Sequence, residues 1–244
     1  MKVIYTTYDY VSRIAGEYLE RQYPSAVTIE KRETNLLFEN FNNEKDIICF
    51  PYSHSSSKGI ASFTTHSLGN FKDDPELGGL PKTLVDAAPL EMLSFLHTIY
   101  KKDVPIDRVY EATHHGPFVN KPSFFIELGG NSETISNTDY IKNMIDAFIE
   151  SLDNRINSYT IVVGIGGMHY ASTFTKLAIT KNYAFSFIVS KYNVQYLDEN
   201  LIRQLVAKSK GLEKFVIEKK SLNATDRNRV LSLIEEEGFS YEMV

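Results

Sequence analysis

The chain has 244 residues, of which 43% are hydrophobic and 23% charged, and its net charge is −5. That composition suits one large folded domain or two small ones, and it contains no run of about 18 apolar residues that could cross a membrane as a helix. The negative balance argues against binding to bulk nucleic acid, but not against a local patch that grips one end of a folded RNA.

Met1–Lys2–Val3–Ile4–Tyr5 leads directly into strand-like sequence, so no signal peptide is expected. Val3–Thr6 reads as a strand. Asp9–Arg21 has apolar residues at Val11, Ile14, Ala15, Tyr18 and Leu19, a helical period, with Thr7 as a candidate cap. Val27–Glu30 and Leu36–Phe38 read as a strand pair. Asp46–Phe50 reads as a buried strand that Pro51 ends. The single cysteine, Cys49, lies in this apolar run, where it reads as a core thiol in a reducing cytoplasm.

Tyr52–Lys58 is a polar stretch whose serines, Ser55, Ser56 and Ser57, lack the Gly-x-Ser-x-Gly frame of a nucleophile and read as solvated loop. Ile60–Thr65 is strand-like and His66 follows it. Asn70–Lys82 is a long loop of the kind that often carries function. Thr83–Tyr100 reads as a helix interrupted at Pro89, with His97 as a packing residue. Arg108–Thr113 and Ser123–Leu128 read as strands, the second with Glu127 inside its apolar run. A carboxylate there is costly to bury unless it is paired or metal-bound. Asn137 caps a helix through Ser151, and Tyr159–Val163 is a buried strand. Thr173–Thr180 (helix), Ala184–Val189 (strand), Glu199–Ser209 (helix), Phe215–Glu218 (strand) and Thr225–Glu237 (helix) complete the chain, with Gly238 as a C-terminal cap. This alternation predicts an α/β fold with a mixed, mostly parallel sheet flanked by helices. Residues 1–244 are read as a single domain, with a weak boundary near 153–158.

Five of the six histidines fall at strand ends or in polar turns: His54, His66, His114, His115 and His169. Strand C-termini gather ligands in open α/β sheets, so these residues are expected to converge on one sheet edge. Neighbouring imidazoles ligate zinc or transfer protons near neutral pH, and zinc so held activates water. Glu111 and Glu127 are the carboxylates best placed to join them. On a regular strand His114 and His115 would point to opposite faces, so both serve one site only if the backbone departs from strand geometry, which Gly116–Pro117 is expected to provide. Gly164–Ile165–Gly166–Gly167 follows a strand and precedes a helix, as phosphate- or oxyanion-binding turns do, but no Walker Lys-Ser/Thr follows it.

Several stretches resemble the archaeal and plant type of D-aminoacyl-tRNA deacylase. They are Glu111-Ala-Thr-His-His-Gly-Pro117, Phe125-Ile-Glu-Leu-Gly129, Gly164-Ile-Gly-Gly-Met-His-Tyr170, Phe63-Thr-Thr-His-Ser-Leu-Gly-Asn70, Gly78-Gly-Leu-Pro81 and Ala87-Ala-Pro-Leu-Glu-Met92. Met168, Ser172 and Ser186–Phe187 depart from the pattern, the last pair standing where the family has Gly-His. The resemblance implies hydrolysis of the ester between a D-amino acid and the 3′ end of tRNA, a zinc cofactor, and a fold related to phosphorylase and peptidyl-tRNA hydrolase folds. On this reading His114, His115, His169 and Glu127 are the catalytic candidates, and His54, His66, His114 and Glu111 the metal ligands. Gly164, Gly166, Gly167, Tyr170 and Lys176 would contact substrate, with Lys181 near the acceptor stem. A cytoplasmic monomer is expected, with the acceptor end of D-aminoacyl-tRNA as its partner and neither membrane nor DNA. The rival readings are a metal-independent hydrolase and a tRNA- or nucleotide-binding module without catalysis.

Overall fold

A computed structural model describes residues 1–42, 44–55 and 59–244. The elements in chain order are β1 (Lys2–Thr6), α1 (Tyr10–Gln22), β2 (Thr28–Arg32), β3 (Asn40–Phe41), β4 (Ile48–Ser55), β5 (Ser62–Ser67), α2 (Pro89–Ile99), β6 (Asp107–Tyr110), β7 (Phe118–Val119), β8 (Ser123–Gly130), α3 (Ser132–Ser136), α4 (Thr138–Asp153), β9 (Thr160–Ile165), α5 (Ser172–Lys181), β10 (Tyr183–Val189), α6 (Glu199–Ala207), β11 (Lys214–Ile217), α7 (Ala224–Glu236) and β12 (Ser240–Met243). They form a six-stranded sheet in the order β2-β1-β4-β8-β5-β6 and a four-stranded sheet in the order β10-β9-β11-β12, with β3 and β7 as a small pair. The second sheet is wholly parallel. In the first sheet only the β5–β8 pairing is antiparallel. The architecture is the mixed, mostly parallel α/β arrangement that the alternating elements predict.

Side chains alternate between the faces of the first sheet. One face presents Cys49, Phe63, Phe124, Ile126 and Leu128 to the largest hydrophobic cluster, which also takes Val11, Ala15 and Leu19 of α1, Phe95 of α2 and Phe148 of α4. Each fully buried Val, Leu or Phe there stabilises the fold by roughly 1.5–3 kcal/mol. The opposite face carries Phe50, Tyr52 and Phe125, covered by Leu36, Leu68 and Val85. A further cluster packs the second sheet against α6 and α7 through Ile165, Phe187, Leu201, Phe215 and Val230.

Some local expectations are corrected. The α1 cap is Asp9, whose carboxylate accepts from the Ser12 N–H, because the helix begins at Tyr10 and Thr7 lies two residues before the capping position. Leu36–Phe38 is a single 3-10 turn, initiated by the Asn35 side chain accepting from the Leu37 N–H, and β2 pairs with β1 instead. Pro51 does not end β4. The Ile48 N–H bonds toward β8, so Pro51, an odd number of residues on, faces β1, whose pairing with β4 stops at Cys49. No ladder donor is therefore lost at Pro51. Pro89 is the first residue of α2 rather than a break inside it, since residues 83–88 are not helical and a proline suits the first helical position. His66 lies inside β5. The C-terminal strand β12 adds an element that the sequence pattern does not announce. Ser56, Ser57 and Lys58 lie outside the described residues.

Candidate active site

Strand pairing alone places four of the functional side chains together. Glu127 of β8 pairs with Tyr52 of β4 and with Thr64 of β5, so His54 and His66, each two residues along, share its face. The Thr65–Tyr110 pairing and the Glu111 N–H bond to the Thr65 carbonyl extend the β6 line by one residue and set Glu111 on that same face. Gly129 lies between Ser62 and His54, and a Cβ there would crowd Ser62 Oγ at 3.0 Å.

The chain after β6 adds the rest. The Ala112 N–H donates to the His169 carbonyl and the Thr113 N–H to the Ile188 carbonyl, which ties the first sheet to the second and brings His169 over Glu111. His115 has φ +47°, a left-handed conformation that departs from strand geometry. Both imidazoles consequently face the site, with ring centres 4.2 Å apart. The departure sits at His115 itself. Gly116 is needed for a different reason, because a Cβ there would meet the backbone of Gly78, Gly79 and Leu37 within 2.6 Å.

The result is a cluster of five histidines and two glutamates. Glu111 Oε2 lies 2.9 Å from His169 Nε2, 3.3 Å from His54 Nδ1 and 3.7 Å from His114 Nε2. Glu127 lies 3.4 Å from His54 Nδ1 and 3.6 Å from His66 Nε2. The His66 ring stacks on Phe125 at 5.1 Å and lies 4.3 Å from the His114 ring. Tyr170 sits beside His54 and His169, and its hydroxyl is 3.2 Å from Ser62 Oγ.

Three imidazoles are fixed by backbone carbonyls: His66 Nδ1 by Ser67, His114 Nδ1 by Ala112 and His115 Nδ1 by Gly116. A carbonyl only accepts, so Nδ1 carries the proton and Nε2 keeps its lone pair when the ring is neutral. This is the outer-sphere arrangement of metal-ligating histidines. Glu111 and Glu127 are buried with imidazoles of this cluster as their close polar neighbours, while Glu111 Oε1 and His66 Nε2 have no hydrogen-bond partner. Unsatisfied buried carboxylates are costly, and a cation at this position would offset that cost. The donor atoms fall into three overlapping groups, each within 4.8 Å: His54, Glu111, His114 and His169; His66, His114 and His115; and His66, Glu111 and Glu127. The cluster could therefore hold a metal ion.

The charge balance differs across the cluster. Burial would lower the His54 pKa, but Glu127 and Glu111 beside it raise it to about 9. His66 is raised in the same way, against its own burial. Burial and the charge of His66 lower His115 to about 4, and burial with three histidine neighbours holds His114 well below its usual value. Burial opposes ionisation of Glu127, yet His66 and His54 keep its carboxyl below the usual range.

All seven predicted catalytic and metal-binding residues thus meet in one place, on a sheet face rather than an edge. The reason is that β5 runs antiparallel to β8, so the strand C-termini do not align. His54 and His66 do not share one ligand group, although the family resemblance assigns both to the metal. Two amides of the glycine turn are already spent within the protein. The Gly166 N–H donates to the Val189 carbonyl and the Gly167 N–H to Ser221 Oγ. Gly164 makes room for Phe174 and Phe185, each 3.1 Å from its would-be Cβ. Lys176 is exposed on α5, and Lys181 is paired with Glu242 at 3.0 Å. Phe187 is buried in the core of the second sheet. His97 packs as expected, its Nε2 3.1 Å from the Ala178 carbonyl. A cavity of about 150 Å³ opens beside His114 and His115, lined also by Asn70, Phe71, Lys72 and Leu77. These four residues belong to the long Asn70–Lys82 loop that the sequence marks as a candidate functional segment.

Comparison with known proteins gives consistent results. Residues 41–242 match the family described as D-aminoacyl-tRNA deacylase. A D-aminoacyl-tRNA deacylase of Saccharolobus solfataricus is 32% identical, covering 96% of this chain and 95% of its own. One from Ignicoccus hospitalis is 33% identical over 99% of this chain and 98% of its own. A crystal structure of a conserved protein of unknown function superposes with a TM-score of 0.91 at 22% identity, over 99% of this chain and 94% of that one, and supports the fold.

Proposed function

The chain belongs to the D-aminoacyl-tRNA deacylase family, and from that premise we propose that it hydrolyses the ester of D-aminoacyl-tRNA with zinc held in the histidine cluster, releasing a free D-amino acid and tRNA. The observation that carries this reading is a buried pair of carboxylates set among three imidazoles whose Nε2 is left free by carbonyl-held Nδ1.

His66, His114 and His115 are the best candidates to hold the ion, because each leaves only Nε2 free. This differs from the set His54, His66, His114 and Glu111 that the sequence suggests. A zinc ion there would supply Lewis acidity toward the ester carbonyl and lower the pKa of a neighbouring water. His169 is the most exposed of the cluster, with 42% of its side chain accessible, and its Nε2 is oriented by Glu111 at 2.9 Å. With Nε2–H donated to Glu111, its Nδ1 can take a proton from the attacking water and return it to the departing 3′ oxygen. Glu111 holds that ring, and Glu127 with His54 keeps the interior charge in balance. Tyr170 borders the entrance. The cavity beside His114 and His115 receives the aminoacyl group. No helix among the described residues is long and apolar enough to cross a membrane, and a tRNA substrate fits a protein working in the cytoplasm.

The test is release of amino acid from D-tyrosyl-tRNA and L-tyrosyl-tRNA, measured on protein as purified, after chelation and after zinc is restored. Hydrolysis of the D form that is lost on chelation and recovered with zinc is the expected result. Activity untouched by chelation would remove zinc from the reading. A rate no faster than spontaneous hydrolysis would overturn the enzymatic reading altogether.

A further inference from the structure

Next to the exposed His169, two large apolar side chains stand in solvent. Met168 is 48% exposed and Tyr192 is 53% exposed. They form one ridge, with the Tyr192 hydroxyl 3.5 Å from Met168 Sδ and the Lys191 N–H bonded to the Gly167 carbonyl. Lys191 Nζ lies 5.1 Å from the Tyr192 ring centre. On one flank is a cavity of about 220 Å³ lined by Gly167, Tyr170, Ser172, Lys191, Glu218 and Lys220. Glu218 is already engaged by the Thr173 hydroxyl at 2.7 Å. Neither Lys191 nor Lys220 has an ion-pair partner among the described residues. Lys191 thus stands against the exposed aromatic, and Lys220 lines the adjoining cavity.

An aromatic face in solvent offers a stacking surface for an unpaired base, and lysines beside it can neutralise the phosphates that link such bases. We propose that the Met168–Tyr192 ridge is a stacking platform for the single-stranded 3′ end of the RNA, with Lys191 and Lys220 on its phosphates. This rests on the functional reading above and adds the surface that positions the terminal nucleotides. The Gly166 and Gly167 amides are spent within the protein, so binding of the phosphates falls to these lysines. The ridge adjoins His169, which puts a stacked terminal nucleotide within reach of the cluster.

The probe is an uncharged RNA hairpin ending in unpaired ACCA, compared with the same hairpin cut to a blunt end, with binding to the full chain followed by fluorescence anisotropy. Wild-type protein should prefer the unpaired end. Tyr192→Ala should weaken that binding roughly tenfold, the loss of one base–aromatic stack, whereas Tyr192→Phe should retain it. Replacing Lys191 and Lys220 by Ala should flatten the dependence of log K on log salt by about 0.7 for each phosphate that is no longer neutralised. In hydrolysis, Tyr192→Ala should raise KM for D-tyrosyl-tRNA and leave kcat unchanged. Equal binding of the two hairpins by the wild type, or hairpin binding and KM that Tyr192→Ala leaves unchanged, overturns the platform alone. Failure of the wild type to hydrolyse D-tyrosyl-tRNA overturns the functional reading instead, whatever the hairpins do.

Discussion

Glu127→Gln isolates the electrostatics of the cluster, since it keeps the shape of a side chain that is 1% exposed and removes its charge. In metal-free protein Glu127 and Glu111 together raise the His54 pKa from 6.5 to about 9, which corresponds to about 3 kcal/mol of favourable interaction with the imidazolium. Glu127 acts on His54 through both a hydrogen bond and its charge and Glu111 through its charge alone, so Glu127 accounts for at least half, on the order of 1.5 kcal/mol. In a protein of this size that is a fall in Tm of about 3–6 °C. The pH dependence has a definite sign. His54 binds its proton more tightly in the folded state, so its contribution is complete below pH 6.5 and fades as the pH rises through about 9. The Glu127 carboxyl is lowered on folding, so its contribution is present above its usual 4.5 and is lost on acidification. The Tm deficit of Glu127→Gln should therefore be largest near pH 6–7 and shrink above about pH 9. Differential scanning calorimetry with a chelator at both pH values measures it. A deficit that is the same at both, or none at pH 6, would refute the pairing of Glu127 with His54.

Zinc loading should release protons below neutral pH, because His66, one of the three ligands, holds its proton more tightly than a free imidazole and must give it up to bind the ion; calorimetric titration in buffers of different ionisation enthalpy counts them. His115→Ala should weaken zinc binding by tenfold or more, whereas His169→Asn should retain the metal and lower kcat by about 10²–10⁴, as read by metal analysis beside single-turnover hydrolysis. Gly116→Ala should displace the loop at Gly78–Gly79, because its Cβ would lie 2.2 Å from the Gly79 nitrogen. Activity should fall sharply while far-UV circular dichroism stays unchanged, and a fully active Gly116→Ala protein would contradict the close approach.

Much of the chemistry is legible residue by residue. An ionisable glutamate inside the apolar run Phe124–Phe125–Ile126 signals a partner or a cation, because burial of a lone carboxylate is unfavourable. The histidines at the ends of apolar runs, and the order of the Thr-His-His-Gly-Pro and Gly-Gly-Met-His-Tyr elements, point to one site and one family. The glycine turn is ambiguous in sequence because a Gly-rich loop after a strand has the same local pattern whether its amides face a ligand or, as at Gly166 and Gly167, a neighbouring carbonyl and hydroxyl. Pro51 and Pro89 mislead for a related reason. A proline ends or starts an element according to which neighbour its missing N–H would have faced.

What the sequence alone determined is which residues had to find each other: five imidazoles and two carboxylates in a chain whose alternating apolar runs dictate an α/β sheet. Local periodicity decides which side of a strand each residue faces, and so it puts His54 on the side of Tyr52 and Glu127 on the side of Phe125. Only the tertiary structure decided where those faces meet. The antiparallel placement of β5 against β8 set His66 beside Glu127 on a sheet face instead of an edge. The left-handed backbone at His115 turned two adjacent histidines to one side. The hydrogen bond from Ala112 to His169 carried the second sheet's histidine onto the first sheet's glutamate. Strand direction and inter-sheet docking depend on contacts between residues far apart in the chain, and a local pattern carries no information about them.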